Sequence, residues 1–103
     1  MRQIIKGTTP TFKFTFDNII ADSIIAAYLT IVQDKTLVIE KSIQDASVED
    51  GYIEWTLTQD ETLMLNHISP LRVQIRYKLS DGFIGASEIK EVDVIKVLKD
   101  GEI

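Results

Sequence analysis

Apolar and polar residues alternate with a period of two along most of this chain, the period of a β-strand with one face covered. The clearest early stretch is Thr11–Phe16, which sets Phe12, Phe14 and Phe16 on one face and Thr11, Lys13 and Thr15 on the other. A shorter strand is expected at Arg2–Lys6, with Gly7 and Pro10 forming an irregular joint between the two. Asp17-Asn18 and Asp22-Ser23 bracket Ile19-Ile20-Ala21, which reads either as a loop with apolar anchors or as one helical turn.

Ile24–Gln33 is rich in β-branched and aromatic residues and reads as a central strand with both faces covered: Ala27, Leu29 and Ile31 on one, Ala26, Tyr28, Thr30 and Val32 on the other. Asp34-Lys35 is a tight turn into Thr36–Ser42, where Leu37 and Ile39 alternate with Val38 and Glu40, so the pair is expected to form a hairpin. The polar run Gln44–Gly51 ends in Asp-Gly, a turn signal because glycine takes positive φ at little steric cost.

Tyr52–Thr58 resumes the alternation with Ile53, Trp55 and Leu57 on one face, and Trp55 is the natural core plug. Thr58-Gln59-Asp60-Glu61 is a capping-box pattern and predicts a short helix over about Gln59–Asn66. After Pro70, the residues Leu71, Val73, Ile75, Tyr77 and Leu79 alternate with Arg72, Gln74, Arg76 and Lys78. Ser80-Asp81-Gly82 turns the chain into Phe83–Val97, whose parity shifts near Ser87–Lys90, a sign of a β-bulge or bend.

About seven strands of this spacing with one short helix predict an all-β fold, an antiparallel two-sheet sandwich of the immunoglobulin-like kind. Periodicity alone does not separate that sandwich from a small barrel. The expected organisation is a single domain over residues 1–98 followed by a flexible tail at 99–103. A chain of 103 residues accommodates one core and not two.

Composition narrows the function. With 45% hydrophobic and 26% charged residues, the chain has the make-up of an ordinary soluble domain, and its apolar stretches are too short to cross a bilayer. No signal-peptide pattern follows Met1-Arg2-Gln3, so a protein made in a cytoplasm is expected, with no membrane partner. The net charge of −5 and the scatter of Lys and Arg argue against nucleic acid.

The absence of cysteine removes thiolate chemistry, disulfides and thiolate metal sites. His67, the one histidine, sits beside the predicted helix end with no credible triad partner. Glu49-Asp50 and Asp60-Glu61 lack the alternating acids of a calcium loop and read as turn and cap residues. The five glycines are dispersed, with no phosphate-binding motif. No enzyme activity, metal or cofactor is therefore expected.

Among the aromatics, Trp55 and Tyr77 share faces with core residues, which leaves Tyr52 and Tyr28 as the side chains on which a sugar could stack. The polar face of Arg72, Gln74, Arg76 and Lys78 is a basic ladder able to meet an acidic protein patch, and it is the candidate interaction face.

The early Lys6-Gly7-Thr8-Thr9 followed by an aromatic strand, the Leu57–Thr62 segment, and the run from Val73-Gln74-Ile75-Arg76 to Ser80-Asp81-Gly82 together resemble small proteins encoded in the tail regions of phages and prophages of Gram-positive bacteria. They are similar in order to the immunoglobulin-like N-terminal domain of baseplate upper proteins. That resemblance implies a virion-associated structural role, homo-oligomers, other tail or baseplate proteins as partners, and no catalytic residues to carry over. A carbohydrate-binding β-sandwich is the alternative expectation.

Overall fold

The computed structural model describes residues 3–103, and its core is built by strands in two facing sheets. In chain order the elements are β1 (Gln3–Ile5), β2 (Thr11–Thr15), β3 (Ile24–Gln33), β4 (Thr36–Ser42), β5 (Ser47–Glu49), β6 (Tyr52–Thr56), helix α1 (Gln59–Leu63), β7 (Leu71–Leu79), β8 (Ile84–Ala86) and β9 (Lys90–Ile95). The larger sheet has the order β1-β9-β7-β3-β4, with β8 also paired to β7, and the smaller has the order β2-β6-β5. The expected two-sheet sandwich is present, with nine strands among the described residues rather than about seven.

One pairing departs from the antiparallel expectation. β1 runs parallel to β9, with Ile4 opposite Val94, because both strands reach that edge of the sheet from the same end. Two of the three β1 residues point outward, so the strand buries only Ile4. The expected start at Arg2 lies outside the described residues.

The inner faces carry the core. Phe12, Ile53 and Trp55 from the smaller sheet meet Ala27, Leu29, Ile31, Leu71, Val73, Ile75, Val92 and Val94 from the larger. Trp55 is fully buried, and its indole N–H donates to the Ser42 carbonyl at 2.8 Å, so one side chain fills the centre and ties β6 to the end of β4 in the opposite sheet. Removing some 200 Å² of indole surface from water is worth about 5 kcal/mol at 25 cal/mol per Å², an upper figure for one residue. Phe14 packs edge-on to Trp55, and Phe16 edge-on to Tyr77.

Local chemistry sets the element ends. Asp34 and Lys35 both take positive φ, the backbone of a two-residue hairpin turn whose twist matches the flanking strands. The register of β3 against β4 then slips between Ile31 and Val32, which turns Leu37 outward to oppose Val32 and leaves Val38 packed on the core. β6 stops at Thr56 because Thr58 becomes the cap of α1: its hydroxyl accepts from Glu61 N–H and the Glu61 carboxylate accepts from Thr58 N–H. The helix ends at Leu63, short of Asn66, since the Asn66 side chain accepts from the Ile68 and Ser69 N–H groups and starts a turn.

Gln33, buried at the end of β3, fixes that turn by donating to the Asn66 and Ser69 carbonyls and accepting from Asn66 N–H. Ile19-Ile20-Ala21 resolves as a loop running into a single 3-10 turn at Ala21–Ser23. The polar run before Gly51 holds the short strand β5, which alternation missed because Val48 is its only apolar residue.

The expected bend near Ser87–Lys90 is a full break. β8 and β9 lie in succession along the same edge of β7, opposite Arg76–Lys78 and Leu71–Val73 respectively. Ser87 bridges the gap: its N–H donates to the Ile75 carbonyl and its hydroxyl accepts from Ile75 N–H. In β8 only glycine fits at position 85, because a Cβ there would overlap the Tyr77 ring, which Phe16 already holds from another side. Beyond β9, Asp100 pairs with Lys6 and the Ile103 N–H donates to Gln59.

Two outcomes test this packing. Gly85→Ala should lose about 1–3 kcal/mol of stability in urea unfolding, and an unchanged midpoint would mean that Tyr77 moves aside freely. Burial alone would raise the Glu61 carboxyl, but hydrogen bonds from Thr58 and the Lys41 ammonium at 2.9 Å outweigh it and hold the group below its usual 4.5. The stabilisation is therefore complete above the unfolded value and is lost as pH falls through the lower folded one. Glu61→Gln should flatten the fall of Tm below about pH 4.5 relative to wild type; parallel curves would contradict this.

Candidate interaction face

Because the inner face of the larger sheet takes Leu29, Ile31, Val73 and Ile75, strict alternation puts the intervening residues on its outer face. Among the described residues nothing packs over that face. This corrects the expectation for β3, which is central in its sheet yet covered on one side only: Tyr28 is 48% exposed. The pairing registers arrange the outward residues in rows. Ile84, Lys78 and Ala26 form one; Ala86, Arg76, Tyr28 and Ser42 the next; then Gln74, Thr30 and Glu40; then Glu91, Arg72, Val32 and Leu37. Asp93 continues β9 beyond Glu91 on the same face.

The basic ladder thus runs up the middle of the sheet, and three of its four members are open. Arg72, Arg76 and Lys78 are exposed, and none of them is in an ion pair among the described residues. Gln74 is different. It is half-buried and donates to the Ser87 carbonyl at 3.0 Å, so it holds β7 to the break between β8 and β9.

What the ladder did not reveal is its apolar company. Tyr28, Ala26 and Ile84 stand beside Arg76 and Lys78 around a shallow cleft of about 190 Å³, with Ile84 59% exposed. Those neighbours come from β3 and β8, far apart in sequence, so only the register brings them together.

The remaining sequence candidates are elsewhere. On the outer face of the smaller sheet, the Lys13 ammonium lies 4.2 Å from the centre of the Tyr52 ring, and that ring is half-buried. Trp55 and Tyr77 belong to the core and its margin. His67 is exposed in the loop after α1. Asp50 accepts from Ala21 N–H at 2.8 Å and Glu61 caps α1, so these acids do turn and cap work.

Among the described residues no group of three or more His, Cys, Asp or Glu is placed to hold a metal, and no helix is long and apolar enough to cross a membrane. A larger cleft of about 550 Å³ opens between the sheets at the unpaired edge of β2, where Phe12, Phe14, Val73 and Val92 meet Lys90 and Glu91.

No family model matches this chain, and no curated protein matches it. Among solved structures it is similar to the immunoglobulin-like domain of mouse leukocyte-associated immunoglobulin-like receptor 1, crystallised as a strand-swapped dimer. The identity is 18% over 91% of this chain and 86% of that one, with a TM-score of 0.52. The fold is an immunoglobulin-like β-sandwich. At that identity the likeness concerns architecture.

If Arg76 and Lys78 serve contact with a partner rather than folding, their removal leaves the domain intact. Arg76→Ala and Lys78→Ala should each change unfolding free energy by less than about 0.5 kcal/mol. A loss beyond 1 kcal/mol in urea titration would assign them a structural role instead.

Proposed function

We propose that this chain is a non-catalytic assembly module of the phage or prophage tail kind, working through protein–protein contacts on the outer face of its larger sheet. The observation that carries the reading is the row of unpaired cations Arg72, Arg76 and Lys78 beside exposed Tyr28 and Ile84. Cations without ion-pair partners stay solvated on a lone domain, while an apolar neighbour gains from cover. Arginine and tyrosine next to aliphatic surface make the composition typical of an interface centre.

The tail assignment rests on the sequence likeness of the Lys6–Thr9, Leu57–Thr62 and Val73–Gly82 segments to tail-region proteins. Self-association is part of the same reading, and the similar receptor domain that crystallised as a strand-swapped dimer is a precedent on this fold. Virion localisation follows from the tail assignment and stands or falls with it.

The sugar-binding alternative has Tyr28 to build on. Tyr52 offers little, because Lys13 already covers its ring. Glycan-array binding abolished by Tyr28→Ala would favour that alternative over assembly.

Purified products of the neighbouring genes provide the test. The wild-type chain should capture at least one of them, with affinity falling as salt rises. The doubly reversed R76E/K78E chain should lose that capture by tenfold or more. Capture that is indifferent to the reversal would sink the assigned face, and no capture at all would sink the tail reading.

A further inference from the structure

We infer that the free edge of β2 takes in an extended segment of a partner protein as a fourth strand of the smaller sheet, with apolar side chains at every second position and an acidic one level with Lys13. This contact lies away from the Arg72–Lys78 face, and either can stand without the other.

The backbone supplies the first argument. Phe16 N–H donates to the Gly51 carbonyl and Leu57 N–H to the Pro10 carbonyl. In the β2–β6 register this parity makes Phe12 and Phe14 the residues that exchange hydrogen bonds with β6. Thr11, Lys13 and Thr15 therefore turn their N–H and C=O groups the other way. β2 is the last strand of its sheet on that side, and no other described strand or turn bonds to those groups. What such a row recognises is a second extended backbone.

The space beside the edge is the second. The cleft of about 550 Å³ along Thr11–Phe14 runs on into one of about 380 Å³ along Lys13–Phe16, walled by Ile75, Tyr77, Ala86 and Ser87. Together they follow β2 from end to end, about 17 Å at 3.4 Å per residue. Side chains entering on the core side meet Phe12, Phe14, Val73 and Val92 in one half and Phe16 and Tyr77 in the other, so alternate positions must be apolar. Phe14 and Phe16 are only half-buried and gain cover.

The roof of the groove limits what enters. β9 and the break between β8 and β9 line it, and β1 carries the larger sheet one strand further, so the edge of β2 is set back beneath that sheet. A whole sandwich approaching in the plane of the smaller sheet meets the larger sheet first, whereas a single extended segment fits. On the outer face Lys13 is exposed and in no ion pair among the described residues, its ammonium resting over the Tyr52 ring. An acid opposite it on the incoming strand makes the favourable cross-strand pair.

The experiment uses the full chain, isotope-labelled for amide exchange, and the peptide Thr-Val-Thr-Val-Glu-Val-Thr-Val-Thr beside a scrambled peptide of the same composition. In the free chain the Thr11, Lys13 and Thr15 amides should exchange fast, while those of Phe12 and Phe14, held by β6, exchange slowly. The alternating peptide should slow the fast amides at least tenfold, saturating below about one millimolar, and the scrambled peptide should not. Thr15→Pro removes an N–H that β6 does not use, so it should keep a native circular dichroism spectrum and cut peptide affinity tenfold or more. Lys13→Glu should weaken binding about threefold, and lysine in place of the peptide's glutamate should restore it. No slowing up to millimolar peptide overturns the proposal, as do equal effects from the scrambled peptide, shifts centred on Tyr28 and Ile84, or undiminished binding by a natively folded Thr15→Pro chain. If Thr15→Pro does not fold, a Lys13→Glu chain that binds both peptides as wild type does overturns it instead. Slowing that appears on concentrating the chain without peptide gives the groove to a second copy and overturns the assigned occupant.

Discussion

The structure hangs on one side chain. Trp55 occupies the gap between the sheets and returns its indole N–H to the Ser42 carbonyl on the far side, so the same residue supplies apolar area and satisfies its own polar atom. Because it must point inward, the parity of β6 is settled, and with it the faces of β2 and β5 paired to that strand. The opposing sheet answers with Leu29, Ile31, Val73 and Ile75. Every residue between those positions is thereby sent outward, which puts Tyr28, Arg72, Arg76 and Lys78 on an open surface. The open outer face is the complement of the core.

That origin explains what the residues alone revealed. Strict alternation at Leu71–Leu79 located both strand ends and the basic ladder, since a period of two assigns each side chain to a face without reference to any neighbour. The limits of β3 and β4 were equally legible, and so was the cap of α1, where Thr58 and Glu61 satisfy each other's backbone locally.

What stayed hidden depends on contacts between distant segments. The exposure of Tyr28 follows from no described residue packing over the outer face of β3, and its apolar neighbour Ile84 arrives through the β7–β8 register. Gln74 looks like its neighbours on β7 until the break at Ser87 recruits it. The parallel β1–β9 pair and the short β5 lack the length for a periodic signal. The residue types are read from the sequence directly: it holds no cysteine and one histidine, His67, which the structure leaves exposed.

Hydroxyl-radical footprinting across a concentration series tests the face directly, because it reads side-chain exposure residue by residue. As the protein associates, with itself or with an added tail partner, Tyr28, Val32 and Ile84 should lose reactivity, while Met64, Ile20 and Ile68, exposed elsewhere on the molecule, keep theirs. Protection centred on Met64 or Ile20 with Tyr28 unchanged would contradict the account.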